Sequence, residues 1–147
     1  MQDATLRAIQ QTLLADRSEA GGVNLLVGGT ASTDGRIYSQ GVPQETAFPY
    51  LFFSIAQTGQ NSCFGKDGRE FRVEVRAVGV IETDTSTVTA ILDRVETLME
   101  RSENFQSSDP IDVIQILPQG VDYAMEEERP VGTIVFQFTV DQAIISA

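Results

Sequence analysis

After Arg69, from Glu70 to Ala77, charged and apolar residues alternate without a break. Phe71, Val73, Val75 and Ala77 fall on one side of an extended chain; Glu70, Arg72, Glu74 and Arg76 fall on the other. A period of two over this length predicts a strand with one buried and one charged face. Gly132 to Val140 repeats the pattern, with Ile134, Phe136, Phe138 and Val140 inward and Thr133, Val135, Gln137 and Thr139 outward. Tyr50 to Ala56 is a third, more hydrophobic strand, and Arg36 to Gln40 a short one punctuated by Gly35 and Gly41. Pro43 and Pro49 stiffen the approach to residue 50, and a proline pushes the residue before it toward extended geometry, so Phe48 is expected to enter that strand already extended. Ile111 to Leu117 and Val121 to Met125 read as strand segments interrupted by Pro118-Gln119-Gly120, a bulge or turn.

Two stretches switch to helical spacing. Leu6, Ile9, Leu13 and Leu14 share one face, with Asp3 as N-cap and Gly21-Gly22 as stop, predicting a helix over 4–20. Val88, Ile91, Leu92, Val95, Leu98 and Met99 form the second stripe, capped by Asp84, Thr85 or Ser86. Between the elements lie irregular segments: an apolar island at Leu25 to Val27, a Gly/Ser/Thr-rich run from Gly28 to Gly35, a hairpin-type loop from Gln57 to Gly68, a polar break from Ser102 to Pro110 and a charged turn from Glu126 to Pro130. Consecutive strands joined by short turns pair antiparallel. The expected fold is therefore α+β, a single domain over 1–147 with a mostly antiparallel sheet and two main helices packed on one face.

Length and charge narrow the classes. At 147 residues the chain suits one domain. It has no apolar run near the roughly 20 residues that cross a bilayer, and its first residues do not resemble a secretory signal. The net charge is −11, which opposes ordinary nucleic-acid binding through phosphate neutralisation. Residues 93–147 hold eleven acids and three arginines, a net of −8 that leaves −3 for residues 1–92. Nine of the ten basic residues are Arg, a side chain favoured where an ion pair is held in fixed geometry.

Candidate chemistry is thin. The chain has no histidine, which removes Ser-His-Asp and Cys-His catalysis and His-containing zinc sites. Cys63 has no cysteine to pair with, and it becomes a nucleophile only if Lys66 lowers its pKa. Gly59 to Lys66 approaches a phosphate-binding loop but has five residues between its glycines, and Asp67 stands where the motif needs Ser or Thr. Glu126, Glu127 and Glu128 are the densest acids, without the spacing of a calcium loop. No catalytic, cofactor or metal residue is assigned.

One run carries more than element type. Gly-Arg-Ile-Tyr from Gly35, then Val-Pro-Gln from Val42, then Phe-Pro-Tyr from Phe48 leading into the strand to Ala56, resembles the tail terminator (tail-completion) proteins of long-tailed bacteriophages and gene transfer agents. Looser similarities are the strand Arg69 to Val75 with the helix after it, and the stretch from Asp122-Tyr123 to Val140. The resemblance implies a structural virion protein at the head–tail junction, assembled in the host cytoplasm, without catalysis, cofactor or membrane. Its implied partners are copies of itself in a ring, typically hexameric, the tail tube protein and a neck (connector) protein, with DNA passing through without specific binding. Glu70, Arg72, Glu74 and Arg76 are then candidates for the subunit interface. Cys63, Phe64 and Lys66 are candidates for a partner-docking loop, and Glu126, Glu127 and Glu128 for an acidic bore. A neck protein, a tube subunit, or a small-molecule-binding domain or enzyme with a concave polar pocket are the alternative readings.

Overall fold

The computed structural model describes residues 2–17, 21–39, 42–43, 46–61, 68–80, 85–100, 111–126 and 129–142. Three helices and five strands form among them: α1 (Gln2–Ala15), α2 (Val23–Leu26), β1 (Ile37–Ser39), β2 (Tyr50–Asn61), β3 (Gly68–Val78), α3 (Thr85–Met99), β4 (Ile111–Glu126) and β5 (Arg129–Gln142). The strands make one sheet in the order β1-β2-β3-β5-β4. Every pairing is antiparallel except β1 with β2. This is the expected α+β domain.

The alternations land as read. Phe71, Val73, Val75 and Ala77 of β3 are fully buried, as are Ile134, Phe136, Phe138 and Val140 of β5. Leu51 and Phe53 of β2 join them, and one core unites these residues with Leu6, Ile9 and Leu13 of α1 and the stripe of α3. Phe136 and Phe138 meet edge-on at 6.4 Å. Helix α3 approaches β5 closely at Gly132, where a Cβ would stand 2.4 Å from Leu92 Cδ1 and 2.8 Å from Val88 Cγ1. Any larger residue there requires the Leu92 and Val88 side chains to shift.

Several boundaries differ from the sequence expectation, each for a tertiary reason. Helix α1 stops at Ala15 rather than running to 20, because the Asp16 carboxylate turns away to accept bonds from outside the helix: Val23 N–H at 2.8 Å, and Arg94 at 2.8 and 2.7 Å. The apolar island is part of α2, not a loop; Val23 and Val27 are wholly buried and pull that segment onto the core. The irregular run after it is organised around the fully buried Asn24. Its Nδ2 donates to the carbonyls of Thr30 and Thr33 at 3.1 Å, and its Oδ1 accepts from Gly35 N at 2.6 Å.

Strands β1 and β2 are parallel, against the antiparallel expectation, with Ile37 opposite Leu51. Three residues of strand span only about 10 Å, so the connection between them is long enough to bring the chain back beside the start of β1. Phe48 and Pro49, joined by a cis peptide bond, form a bend before β2 rather than its first extended residues. Of the expected loop at 57–68, residues 57–61 and Gly68 are strand, with Gln57 paired to Phe71 and Asn61 to Gly68 across an irregularity between Gln57 and Gly59, and residues 62–67 lie outside the described residues. Finally, Ile111–Glu126 is one strand with a bulge between Pro118 and Gly120. Gly120, at φ 156°, absorbs the extra residue. Arg129 and Pro130 begin β5 instead of belonging to the turn.

Candidate functional site

The helices cover one face of the sheet, and the candidate residues gather on the other. Along β3 the charged side chains form a chain of ion pairs. Arg72 lies 3.3 Å from Glu74, Arg76 lies 3.7 Å from the same Glu74, and Arg76 also lies 3.7 Å from Glu126 at the end of β4. Arg76 Nε is buried with no hydrogen-bond partner among the described residues. Glu70 sits opposite Gly59 and Thr139. All four interface candidates therefore share one face, and Glu126, read from sequence as a separate acid, joins them. Glu127, Glu128, Cys63, Phe64 and Lys66 lie outside the described residues.

Two hollows follow this line of charge. The larger, about 570 Å³, is lined by Arg72, Glu74, Arg76, Asp122, Thr133 and Gln137. The smaller, about 340 Å³, adjoins it at Arg76 and adds Phe48, Tyr50, Glu126 and Arg129. Both are open and shallow. With its charges paired to one another, such a surface suits contact with a protein better than capture of a small substrate. Among the described residues no group of three or more Cys, Asp or Glu is placed to hold a metal ion, and no helix is long and apolar enough to cross a membrane.

The smaller hollow is where the Phe-Pro-Tyr run meets Arg129 from the similarity between Asp122 and Val140. Arg36 reaches across from β1 and donates to the carbonyls of Pro49 at 2.9 Å and Phe48 at 3.3 Å. The Phe48 ring packs 5.3 Å from Tyr50, which meets Tyr38 at 6.4 Å. Arg129, 81 residues further along the chain than Phe48, lies 3.6 Å above the Phe48 ring and also donates to the Val80 carbonyl. A guanidinium stacked on an aromatic face while donating in its own plane is a role that Lys does not fill. The Arg bias was the one sequence signal for it, and it did not say which arginines.

Behind the sheet, Asp16 and Arg94 tie α1, α2 and α3 together. Burial alone would push the Asp16 carboxyl up. The Arg94 hydrogen bonds, the Val23 N–H and the guanidinium charge outweigh it and hold the group below its ordinary 3.8. Both of its oxygens are engaged in joining the three helices.

Sequence reasoning missed one surface. Val121, Tyr123 and Met125, all on β4, are about half exposed, as is Leu117, which stands opposite Gln137 on the charged face.

No protein-family model matches the chain, and no curated protein matches it. Among solved structures the chain is similar to one in the virion of a native gene transfer agent particle, with a TM-score of 0.68 and 16% identity over 95% of this chain and 96% of that one. A second solved chain, 12% identical, superposes with a TM-score of 0.60 over 98% of each. At such identities the likeness is one of fold, and it extends over nearly the whole length of all three chains.

Proposed function

We propose that this chain is a structural virion protein of the tail terminator kind, forming a ring that caps the head-proximal end of a tail tube and joins it to the neck. The observation that carries the reading is the near full-length likeness of fold to a chain of a gene transfer agent virion. The order of the Gly35–Ala56 motif supports it, because the residues that define that order also build the Arg36–Phe48–Tyr50–Arg129 cluster. The shallow, internally paired charged face fits a protein contact and not a reaction centre. A tube grows through heterologous contacts that never close, so a closed ring without a copy of the tube's docking surface on its far side ends growth.

Within this reading Glu70, Arg72, Glu74 and Arg76 contribute to the contact between copies, where ion pairs set register more than affinity. Arg72, half exposed, has room for an acid of the neighbour as well as for Glu74. The acidic excess of residues 93–147, with Glu126, Glu127 and Glu128, faces the bore. Phe64, with Cys63 and Lys66 beside it, docks onto the tube. Replacing Phe64 by Ala is expected to leave the melting temperature unchanged while weakening tube capping and lengthening tails; a destabilised protein ends the docking role.

Negative-stain microscopy of the purified protein, alone and with tube protein, tests the whole reading. Closed rings are expected. Filaments formed by the chain alone identify a tube subunit instead, and monomers at every concentration, with or without tube protein, overturn the ring.

A further inference from the structure

Val121, Tyr123 and Met125 of β4 stand opposite Ile134, Gly132 and Pro130 on the helix side of the sheet, half exposed and outside the core, with Val121 also bordering the charged hollow, and β4 is an outer strand of the sheet. Among the described residues its second backbone edge pairs with nothing. We propose that this edge, over Val121 to Glu126, takes up an extended segment of a different protein as a sixth strand, and that the segment alternates apolar residues with Arg or Lys.

The pattern of β4 specifies the pattern of its guest. Tyr123 lies on the helix side of the sheet, its ring edge 3.1 Å from where a Gly132 Cβ would stand. With Met125, Val88, Thr85 and Pro130 it lines an apolar groove of about 370 Å³ beside the first turn of α3. Val121, two residues before Tyr123, falls on the same side. Asp122 and Glu126 point to the opposite face, where Asp122 lines the charged hollow and Glu126 reaches Arg76. An added strand meets these residues as direct cross-strand neighbours. Its side chains beside Val121, Tyr123 and Met125 extend the apolar groove, and those beside Asp122 and Glu126 gain from a positive charge. The guest therefore reads apolar, basic, apolar, any, apolar, basic.

The edge itself is open to pairing. Natural edge strands are blunted by Lys, Pro, bulges or inward charges. The bulge of β4 ends at Gly120, and Val121 to Glu126 contains no Lys, Pro or bulge; its two charges, Asp122 and Glu126, are both acids, which disfavour an acidic strand and favour a basic one. Backbone pairing of this kind supplies affinity, and the alternate side chains supply specificity.

The β4 edge of a second copy does not meet the requirement in any register, because β4 carries no Arg or Lys. Two β4 edges paired antiparallel about Ala124 place Asp122 directly against Glu126 twice, with like charges on one face. The opposite outer strand, β1, spans only Ile37–Ser39 and is too short to cover six residues. The inference rests on β4 alone and not on the ring reading.

The test uses the ¹⁵N-labelled full chain and the peptide acetyl-Val-Lys-Val-Thr-Val-Lys-amide, followed by amide shifts and hydrogen exchange. Saturable binding is expected, with amides of 121–126 that carry no bond to β5 exchanging at least ten-fold more slowly. Tyr123→Lys and Met125→Lys, both at half-exposed positions, are expected to abolish the protection while keeping the wild-type melting temperature. The proposal is overturned if the peptide with Glu in place of Lys binds equally well, or if the shifts centre on the hollow at Arg72. It is equally overturned if the peptide leaves the β4 amides unchanged, or if protection appears without peptide and rises with protein concentration. A chain that forms rings but leaves the peptide unbound keeps the ring and loses this inference.

Discussion

Asp16 ends one helix, starts the next and holds a third. Its carboxylate sits at the end of α1, accepts the first N–H of α2 and receives both arms of Arg94 from α3. Hydrogen bonds to a charged group contribute about 1.5–3 kcal/mol each, and Arg94's partial exposure keeps the total for the pair toward the low end. Asp16→Asn is therefore expected to destabilise the fold by about 1.5–3 kcal/mol at neutral pH. The sign with pH follows from the lowered carboxyl: the stabilisation is fully present above the unfolded value near 4, and fades as pH falls through the lower folded value. Denaturant melts of wild type and Asp16→Asn at pH 7 and at successively lower pH test this. The gap between the two proteins closes in acid; a gap that stays constant means the clamp is not ionic. Asn24 acts similarly without charge. Its amide satisfies two carbonyls and one N–H of the glycine-rich loop, so a segment with almost no apolar content holds a fixed path.

Among the elements, α3 and β5 are fitted to each other at a single point. The space above Gly132 is filled by Leu92 and Val88. Leu92 has rotamers with which to yield, while the β-branched Val88 is stiff. Gly132→Ala is expected to cost about 1–3 kcal/mol by overpacking, and Val88→Ala in the same chain to recover part of it. A thermal melt of the single and double variants decides. Additive losses from the two changes would mean that helix and strand do not meet as closely as the geometry states. The hairpin of β4 and β5 matters differently: its turn end brings Glu126 to Arg76 and Arg129 to Phe48. An element read as a charged turn thus anchors the bend before β2.

On the scale of the whole molecule, the sheet separates two environments. One face is sealed by α1 and α3 over four fully buried phenylalanines; the other carries paired charges in an open groove. A net charge of −11, weighted toward the second half of the chain, sets how this surface meets a polyanion. If that half faces the bore of a ring, DNA is repelled from the wall and slides without adhering. The expected outcome is no measurable duplex binding by the isolated protein in low salt, where electrostatic affinity is greatest. Retarded DNA in a gel-shift assay under those conditions ends the bore assignment.

Period determined the strands β3 and β5 and the helix α3, and which side of each is buried. The alternation at Glu70 to Ala77 and the stripe from Val88 to Met99 reappear intact, because burial on one side of an element is a local pattern that a single sequence displays. What period does not carry is the neighbour. The parallel pairing of β1, the reach of Arg129 to Phe48 and the contact of Arg76 with Glu126 all join segments far apart in the chain. The glycine-rich run looked structureless because the group that orders it, Asn24, is a single polar residue beside an apolar island. The strip on β4 stayed hidden for the same reason. Val121, Tyr123 and Met125 alternate like any buried strand face, and only strand order, which puts β4 at the sheet's edge, leaves them without a cover.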